Sequence, residues 1–301
     1  MDKIKLSAVA YACNQKDSGR GKDAFSVFFN DENSGIIAVY SGKSTSEQPF
    51  FQNRTNANVS SIISAYVTDK FYSQKKFLFD GTDSQRLCTD LKKVFKRIRH
   101  KSEIKNSEPL SASCAVVALN IEEETVECEL LWAGNSRIYI LDRFGLHQLS
   151  KDDCKLGDDF ENALNGSDPY NYISEQINFH INEMKINITE PCVVVTATDG
   201  AYSGISMPAE FEYKILSSLY YADSTEMWQD KLQSALNNTD CSVAMAILGF
   251  ETFSSLWQYF SSRYENLLKM FIEPCKNSDP DGLRSLWNEY RKTYLGNGDI
   301  Q

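Results

Sequence analysis

Three short segments place polar residues that could carry chemistry at the ends of apolar runs. They are Lys22-Asp23-Ala24-Phe25, Thr196-Ala197-Thr198-Asp199-Gly200 and Thr239-Asp240-Cys241-Ser242. Carboxylate oxygens at strand ends are the ligands that Mg²⁺ and Mn²⁺ prefer, and a neighbouring glycine lets the backbone approach an ion closely. One Asp in such a place is more often a turn former. Together, the segments predict a hard-cation site with Asp23, Asp199 and Asp240 as candidate ligands.

The elements that would position these segments follow from the hydrophobic pattern. Apolar runs bounded by turn residues predict strands over 6–12, 24–29, 36–40, 113–120, 126–133, 137–141, 192–198 and 241–250. Apolar residues at helical spacing predict helices around 59–67 and 87–98, and most of 208–236 is also expected to be helical. Strands, two helices, strands, a helix and a strand are typical of an α+β sandwich, not of an alternating parallel sheet.

The sequence pattern changes at Phe253, where a stripe of aromatic and aliphatic residues at helical spacing begins. It runs from Leu256 and Trp257 to Phe271, and a shorter helix around Trp287 follows Pro280. We therefore expect a main domain over residues 1–252 and a C-terminal helical extension over 253–301. Packing of the stripe on the sandwich is the favoured interpretation, and an exposed docking surface for another protein is the alternative.

Composition limits the possible classes of protein. The 301 residues carry a formal net charge of −10, which argues against a general nucleic-acid binder. We find no run of roughly 20 apolar residues that would predict a membrane span. Eight cysteines are scattered without C-x-x-C pairs or histidine clusters, so neither a disulfide scaffold nor a structural zinc site is predicted, and a cytoplasmic location is expected.

Six segments, in order over about residues 5–250, resemble the motifs of the PPM-type (type 2C) metal-dependent serine/threonine phosphatases. The closest match is Val195-Thr196-Ala197-Thr198-Asp199-Gly200, against the Thr-Asp-Gly strand of that family. The other five are Gly21-Lys22-Asp23-Ala24-Phe25, Ile37-Ala38-Val39-Tyr40-Ser41-Gly42-Lys43-Ser44, Ser111-Ala112-Ser113-Cys114-Ala115-Val116-Val117, Ala133-Gly134-Asn135-Ser136-Arg137-Ile138-Tyr139 and Thr239-Asp240-Cys241-Ser242-Val243.

The resemblance implies a four-layer α-β-β-α sandwich, with two antiparallel sheets flanked by helices. It also implies two divalent metals between the sheets, bridged by an Asp and a water that attacks the phosphoryl group in line. In such two-metal catalysis the metals lower the pKa of the water and hold the phosphate oxygens. The number and charge of the carboxylates therefore decide the activity.

This chain departs from the family at the positions that need charge or a proton carrier. Ser41 stands in place of the bridging Asp, and Lys22 stands in place of the Glu that precedes Asp23. Lys43 replaces the catalytic His, Ser18 replaces the phosphate-binding Arg, and Thr239 replaces the last metal Asp. Arg20 lies close to Ser18 and could replace the missing arginine. Asp240 follows Thr239, but an offset of one residue in a strand predicts a side chain on the opposite face.

Asp199 and the more distant Asp23 are retained, which is few carboxylates for two divalent ions. Two like unit charges 4 Å apart repel by about 4 kcal/mol at an effective dielectric constant near 20, or roughly three powers of ten in affinity. We therefore expect a degenerate site without a metal cofactor in a pseudophosphatase, a binding or regulatory module for a protein partner such as a phosphoprotein or kinase.

Two alternatives remain open at this point. One is an active Mg²⁺- or Mn²⁺-dependent phosphatase that uses Asp23, Asp199, Asp240 and the Gly42 carbonyl. The other is a phosphate-sensing module in which Lys22, Lys43 and Arg20 bind an anion.

Overall fold

A computed structural model describes residues 4–15, 21–31, 33–44, 54–101, 109–122, 124–154, 158–165, 169–175, 178–236 and 240–295. The strands are β1 Leu6–Asn14, β2 Asp23–Phe29, β3 Ser34–Gly42, β4 Ser111–Ile121, β5 Val126–Ala133, β6 Arg137–Asp142, β7 Gly145–Gln148, β8 Ile173–Ser174, β9 Asn182–Ile188, β10 Cys192–Ala197 and β11 Cys241–Leu248. The helices are α1 Asn56–Ser73, α2 Asp83–Lys101, α3 Asp159–Asn165, α4 Asp199–Tyr202, α5 Ala209–Tyr220, α6 Thr225–Ala235, α7 Phe253–Leu267, α8 Glu273–Cys275 and α9 Pro280–Tyr294, with a π-helical turn at Leu268–Ile272 between α7 and α8. Within these ranges, no helix combines the length and apolar character that crossing a membrane requires.

The strands form two antiparallel sheets. The first has the order β1-β11-β10-β6-β7, and the second has the order β2-β3-β4-β5-β9, with β8 paired to β4. Residues such as Val39 and Val117 of the second sheet and Val194 and Ala246 of the first are fully buried between the sheets. Continuous apolar runs let these strands bury both faces.

Helices cover both outer faces, as the predicted four-layer α-β-β-α architecture requires. Phe71 of α1 and Leu91 and Phe95 of α2 pack against the outer face of the second sheet. On the other side, α5, α6 and the C-terminal helices cover the first sheet. The predicted fold class is thus confirmed by the arrangement of the layers.

The C-terminal aromatic stripe packs inward. Phe260 and Tyr264 of α7 are buried in the same apolar cluster as Phe211 and Leu219 of α5. A buried ion pair reinforces this contact, because Arg263 Nε lies 2.6 Å from Glu212 Oε1. Packing, the favoured interpretation of the sequence, is what the structure contains, and the stripe is not an exposed docking surface.

Candidate functional site

Strand register brings the predicted segments to one end of the sandwich. Asp23, the first residue of β2, lies opposite Ser41 near the end of β3. In the other sheet, the Thr198 N–H after β10 donates to the Ser242 carbonyl at the start of β11, at 3.0 Å. Because the two sheets stack face to face, the start of β2 and the end of β10 meet across the sandwich.

Two glycines allow close backbone contacts at this end. A Cβ on Gly42 would lie 1.8 Å from the Ala57 carbonyl oxygen in the first turn of α1. A Cβ on Gly200 would lie 1.9 Å from the Asp240 carbonyl oxygen. Neither position has room for a side chain, so glycine is required for these elements to converge.

Lys22 forms the central contact of the site. Its Nζ atom lies 3.5 Å from Asp199 Oδ1, with the lysine side chain 38 % exposed. Ser41 Oγ donates a hydrogen bond to the same carboxylate oxygen at 3.3 Å. Burial lowers the pKa of Lys22, but Asp199 and Asp23 outweigh it and raise the pKa above its usual value. Lys22 is therefore a cation at neutral pH, beside the carboxylate that the sequence marks as the best candidate metal ligand.

Asp23 lies deeper in the sandwich. Its side chain is buried, and Thr198 Oγ1 donates to Oδ2 at 2.6 Å. Its other oxygen, Oδ1, has no hydrogen-bond partner among the described residues. Burial raises the pKa of Asp23 to about 7, against the opposing effect of Lys22. Close to neutral pH this carboxyl is therefore only partly ionised.

Asp240 also reaches the site, and the expectation that it points away from the site is wrong. The Lys22 backbone N–H donates to Asp240 Oδ2 at 3.4 Å. The reason is that β11 begins at Cys241, so Asp240 lies before the strand and does not follow its alternation of faces. Three carboxylates therefore surround Lys22.

A small cleft opens over these residues. Its volume is about 160 Å³, and it is lined by Lys22, Ser41, Gly42, Lys43, Ser44, Ser113, Asn135, Pro169, Tyr172 and Asp199. Lys43 Nζ lies 4.8 Å from the centroid of the Tyr172 ring, a cation–π distance. Arg20 and Thr239, both predicted site residues, and Ser18 lie outside the described residues.

The turn that resembles the Gly-Asp-Ser-Arg motif has a structural role. Arg137 is buried, and its Nη2 lies 2.8 Å from Asp152 Oδ2. Its guanidinium also donates to the carbonyls of Asn162 and Ala163 in α3. This side chain joins the turn to α3 and leaves no donor directed into the cleft.

Two residues of the cleft lining, Pro169 and Tyr172, were not predicted from the sequence. Both come from the polar stretch before β8, where no periodic pattern marks an element. The sequence signal for this part of the lining was Tyr172, an aromatic residue within a polar stretch.

The donor set does not fit a pair of divalent ions. The part of the chain that the structure describes contains no group of three or more His, Cys, Asp or Glu side chains placed to hold a metal. Asp199 is bound by an ammonium and a hydroxyl, and Asp23 is bound by a hydroxyl and partly protonated. Asp199 and Asp23 therefore each accept hydrogen bonds from protein groups in this arrangement.

The two stacked sheets, the flanking helices and the converging strand ends define the fold of the PPM-type serine/threonine phosphatases. The serine/threonine phosphatase Stp1 from Staphylococcus aureus superposes with a TM-score of 0.59 and 13 % identity, covering 83 % of this chain and 98 % of that protein. The catalytic domain of the phosphatase PstP, in complex with two manganese ions, gives a TM-score of 0.54 and 12 % identity over 82 % of this chain and all of that domain.

A sex-determining protein of C. elegans is also similar, with a TM-score of 0.59 and 12 % identity. The match covers 84 % of this chain and 67 % of that protein. No family model matches the sequence, and no curated protein matches it either. At these identities the likeness shows the shared fold alone.

Proposed function

We propose that this protein is a pseudophosphatase: a PPM-type phosphatase fold with a degenerate metal site that acts as a binding or regulatory module in signalling. The observation that carries the proposal is the contact between Lys22 and Asp199, at 3.5 Å. A divalent ion bound to Asp199 would lie close to this ammonium. Repulsion between unit charges at 4 Å is about 4 kcal/mol at an effective dielectric constant near 20, and a divalent ion doubles the charge.

Ser41 supports the same proposal. Where the family places a bridging carboxylate, this hydroxyl donates to Asp199 and supplies no negative charge. A pair of divalent ions brings a charge of about +4, which Asp23, Asp199 and Asp240 cannot balance while Lys22 is protonated. In this proposal the lysine replaces the metals as the cation that holds the strand ends together.

Turnover of a phosphopeptide in excess Mn²⁺ tests this function directly. We expect hydrolysis no faster than the background rate, and the same rate for Asp199→Ala. Asp230→Ala, an exposed acid on α6, is the matched control for the loss of one carboxylate. Turnover that is abolished by Asp199→Ala and retained in Asp230→Ala would contradict the proposal.

One observation favours the alternative, an active Mg²⁺- or Mn²⁺-dependent serine/threonine phosphatase. Asp240 reaches the backbone of Lys22, so a third carboxylate lies at the site. If Lys22 swung away, Asp23, Asp199, Asp240 and the Gly42 carbonyl would be the oxygen donors available. This alternative predicts calorimetrically detectable Mn²⁺ binding that Asp240→Asn weakens.

As the ligand of the module we propose a phosphate group carried by a partner protein, a phosphoprotein or a kinase. Lys22 and Lys43 line the cleft, and Ser44, Ser113 and Asn135 add polar groups around them. Ammonium groups make charge-assisted hydrogen bonds to phosphate oxygens.

Fluorescence anisotropy with a phosphoserine peptide tests this ligand. We expect Lys43→Ala to weaken binding by about tenfold, because one charge-assisted contact is lost. Lys93→Ala, an exposed lysine on α2, should leave binding unchanged. Equal affinity for phosphorylated and unphosphorylated peptides would show that the cleft does not recognise phosphate.

A further inference from the structure

Strand β2 is the terminal strand of the second sheet, and one of its backbone edges is open. The Gly42 N–H donates to the Lys22 carbonyl and the Asn30 N–H donates to the Ser34 carbonyl, so even-numbered residues of this stretch face β3. The N–H and C=O groups of Phe25, Val27 and Phe29 therefore face outward. Among the described residues, no side chain or loop forms a hydrogen bond to these outward groups.

The strand also lacks the devices that normally protect a sheet edge. Its sequence, Asp-Ala-Phe-Ser-Val-Phe-Phe, contains no Lys, Pro or Gly, and its register with β3 continues over seven residue pairs without a bulge. Natural edge strands are usually short, charged, bulged or covered, because an exposed apolar edge pairs with other strands.

Two other edges of the same molecule show this protection. The edge of β1 is covered by α6, whose Gln229 and Gln233 side chains accept the N–H groups of Tyr11 and Cys13 at 3.3 and 2.9 Å. The opposite edge of the second sheet, β9, carries the charges of Glu183 and Lys185. The open apolar edge of β2 therefore differs from both.

Partly exposed aromatic side chains flank this edge on both faces. Phe25 stacks on Tyr11, with ring centroids 4.6 Å apart, and Tyr11 is still 37 % exposed. On the outer face, Phe28 is 39 % exposed and contacts Tyr72 edge-on at 5.7 Å. A strand added to β2 would bury these rings as well as the backbone edge.

We propose that the occupant of this edge is the β2 strand of a second copy of the chain, paired antiparallel about a two-fold axis at Val27. In that register Phe25 lies opposite Phe29 of the second copy, on both sides of the axis, and Val27 lies opposite its own equivalent. Each of the three pairs exchanges two backbone hydrogen bonds, about six in all. Cross-strand aromatic pairs are among the more stabilising ones.

The lack of charged residues in the paired segment is compatible with an identical strand as the partner. Asp23, the one charged residue of β2, is the buried first residue of the strand and lies outside the 25–29 segment, so no like charges face each other within the three proposed pairs. A C2 interface must be self-complementary, and this apolar, evenly alternating strand satisfies that condition. The dimer would join the second sheets of both copies into one continuous sheet.

Sedimentation velocity on the full chain tests the proposal. We expect a concentration-dependent species of twice 34.1 kDa at tens to hundreds of micromolar protein. Val27→Lys should weaken the dimer by about tenfold or more, since it places two like charges opposite each other. Val27→Thr keeps the β-branched shape without charge and should still dimerise. A wild-type protein that stays monomeric, or a folded Val27→Lys protein that dimerises as well as wild type, would overturn the proposal.

A cysteine variant decides the matter if Val27→Lys does not fold. Residues in a hydrogen-bonded antiparallel pair have Cα atoms about 5.5 Å apart, within disulfide range. Mild oxidation of Val27→Cys should therefore give a covalent dimer with a 27–27 peptide in the mass spectrum, and the wild type should give none. A monomer, or a dimer linked only through a native cysteine, would refute pairing at this edge.

Discussion

Lys22 brings a positive charge to the strand end where Asp199 lies. The lysine directly precedes β2, so the backbone directs it to the end of β10, where Asp199 begins α4. The same backbone would carry an acidic residue to the same place. Under the proposed function, a change from a cation-binding to an anion-binding cleft would therefore need no change of architecture.

Glu129 provides a residue-scale prediction remote from the cleft. The side chain is fully buried on β5, and neither carboxylate oxygen has a donor among the described residues. Burial, together with the neighbouring Glu183, raises the pKa of Glu129 to about 8. The folded state thus binds a proton that the unfolded state releases at a much lower pH, so stability present at acidic pH is lost as the pH rises towards 8.

Glu129→Gln removes this titration. We expect the free energy of unfolding of the wild type to fall between pH 5 and pH 9 by more than that of the variant, with a difference above about 1.4 kcal/mol, the equivalent of one pKa unit. Urea unfolding at the two pH values measures both slopes. Parallel slopes would show that Glu129 is not protonated in the folded protein.

At the scale of elements, the hydrophobic pattern predicted the apolar strands, including β1 and β2 at sheet edges, and missed the polar strand β9. β10 and β11 are continuous apolar runs, and both are central in their sheet. β9 was missed because it lies at an edge, where residues such as Glu183 and Lys185 can remain partly or fully exposed. The 208–236 segment is helical but divides into α5 and α6, with the second helix capped by the Ser224 side chain.

A histidine ties the last helix to the first sheet. His147 Nε2 lies 3.0 Å from Asp142 Oδ1, and Nδ1 lies 2.8 Å from the Thr293 carbonyl of α9. Burial lowers the pKa of His147, but Asp142 and the Thr293 carbonyl outweigh it and raise the pKa above its ordinary value. A raised histidine pKa gives stability that is complete at low pH and is lost as the pH rises through the folded-state value.

His147→Gln should therefore destabilise the protein more at pH 5.5 than at pH 8.5. Chemical denaturation monitored by tryptophan fluorescence, at both pH values, gives the two differences. His100→Gln, an exposed histidine on α2, is the matched control and should have little effect. A loss of stability that is equal at both pH values would mean that the charged form of His147 makes no special contribution.

At the scale of the whole molecule, the sandwich and the C-terminal helices share one apolar cluster, so they should unfold together. Phe260 is 1 % exposed in that cluster, and truncating such a residue costs about 3–5 kcal/mol. We expect Phe260→Ala to lower the midpoint of a single transition seen both by circular dichroism and by tryptophan fluorescence. Gln258→Ala, exposed on the same helix, should leave it in place. Two separate transitions in Phe260→Ala would show that the extension folds independently.

The sequence predicted the candidate-site residues that lie at strand ends, but it did not predict those that lie in loops. The strand-borne residues could be placed because each lies at one end of an apolar run: Asp23 before its run, and Ser41 and Asp199 after theirs. Strand register then brings them together. The expected orientation of Asp240 was wrong because the alternation of strand faces does not apply to a residue that precedes β11. Tyr172 lies in a loop, whose path depends on tertiary contacts that no local pattern encodes.

Crystals of the protein soaked in excess Mn²⁺ test the central claim most directly. Anomalous scattering locates manganese independently of any assumption about ligands. We predict no pair of manganese peaks beside Asp199, with Lys22 Nζ still in contact with the carboxylate. Two peaks about 3.5–4 Å apart at that strand end, the usual spacing of a two-metal site, would contradict the account.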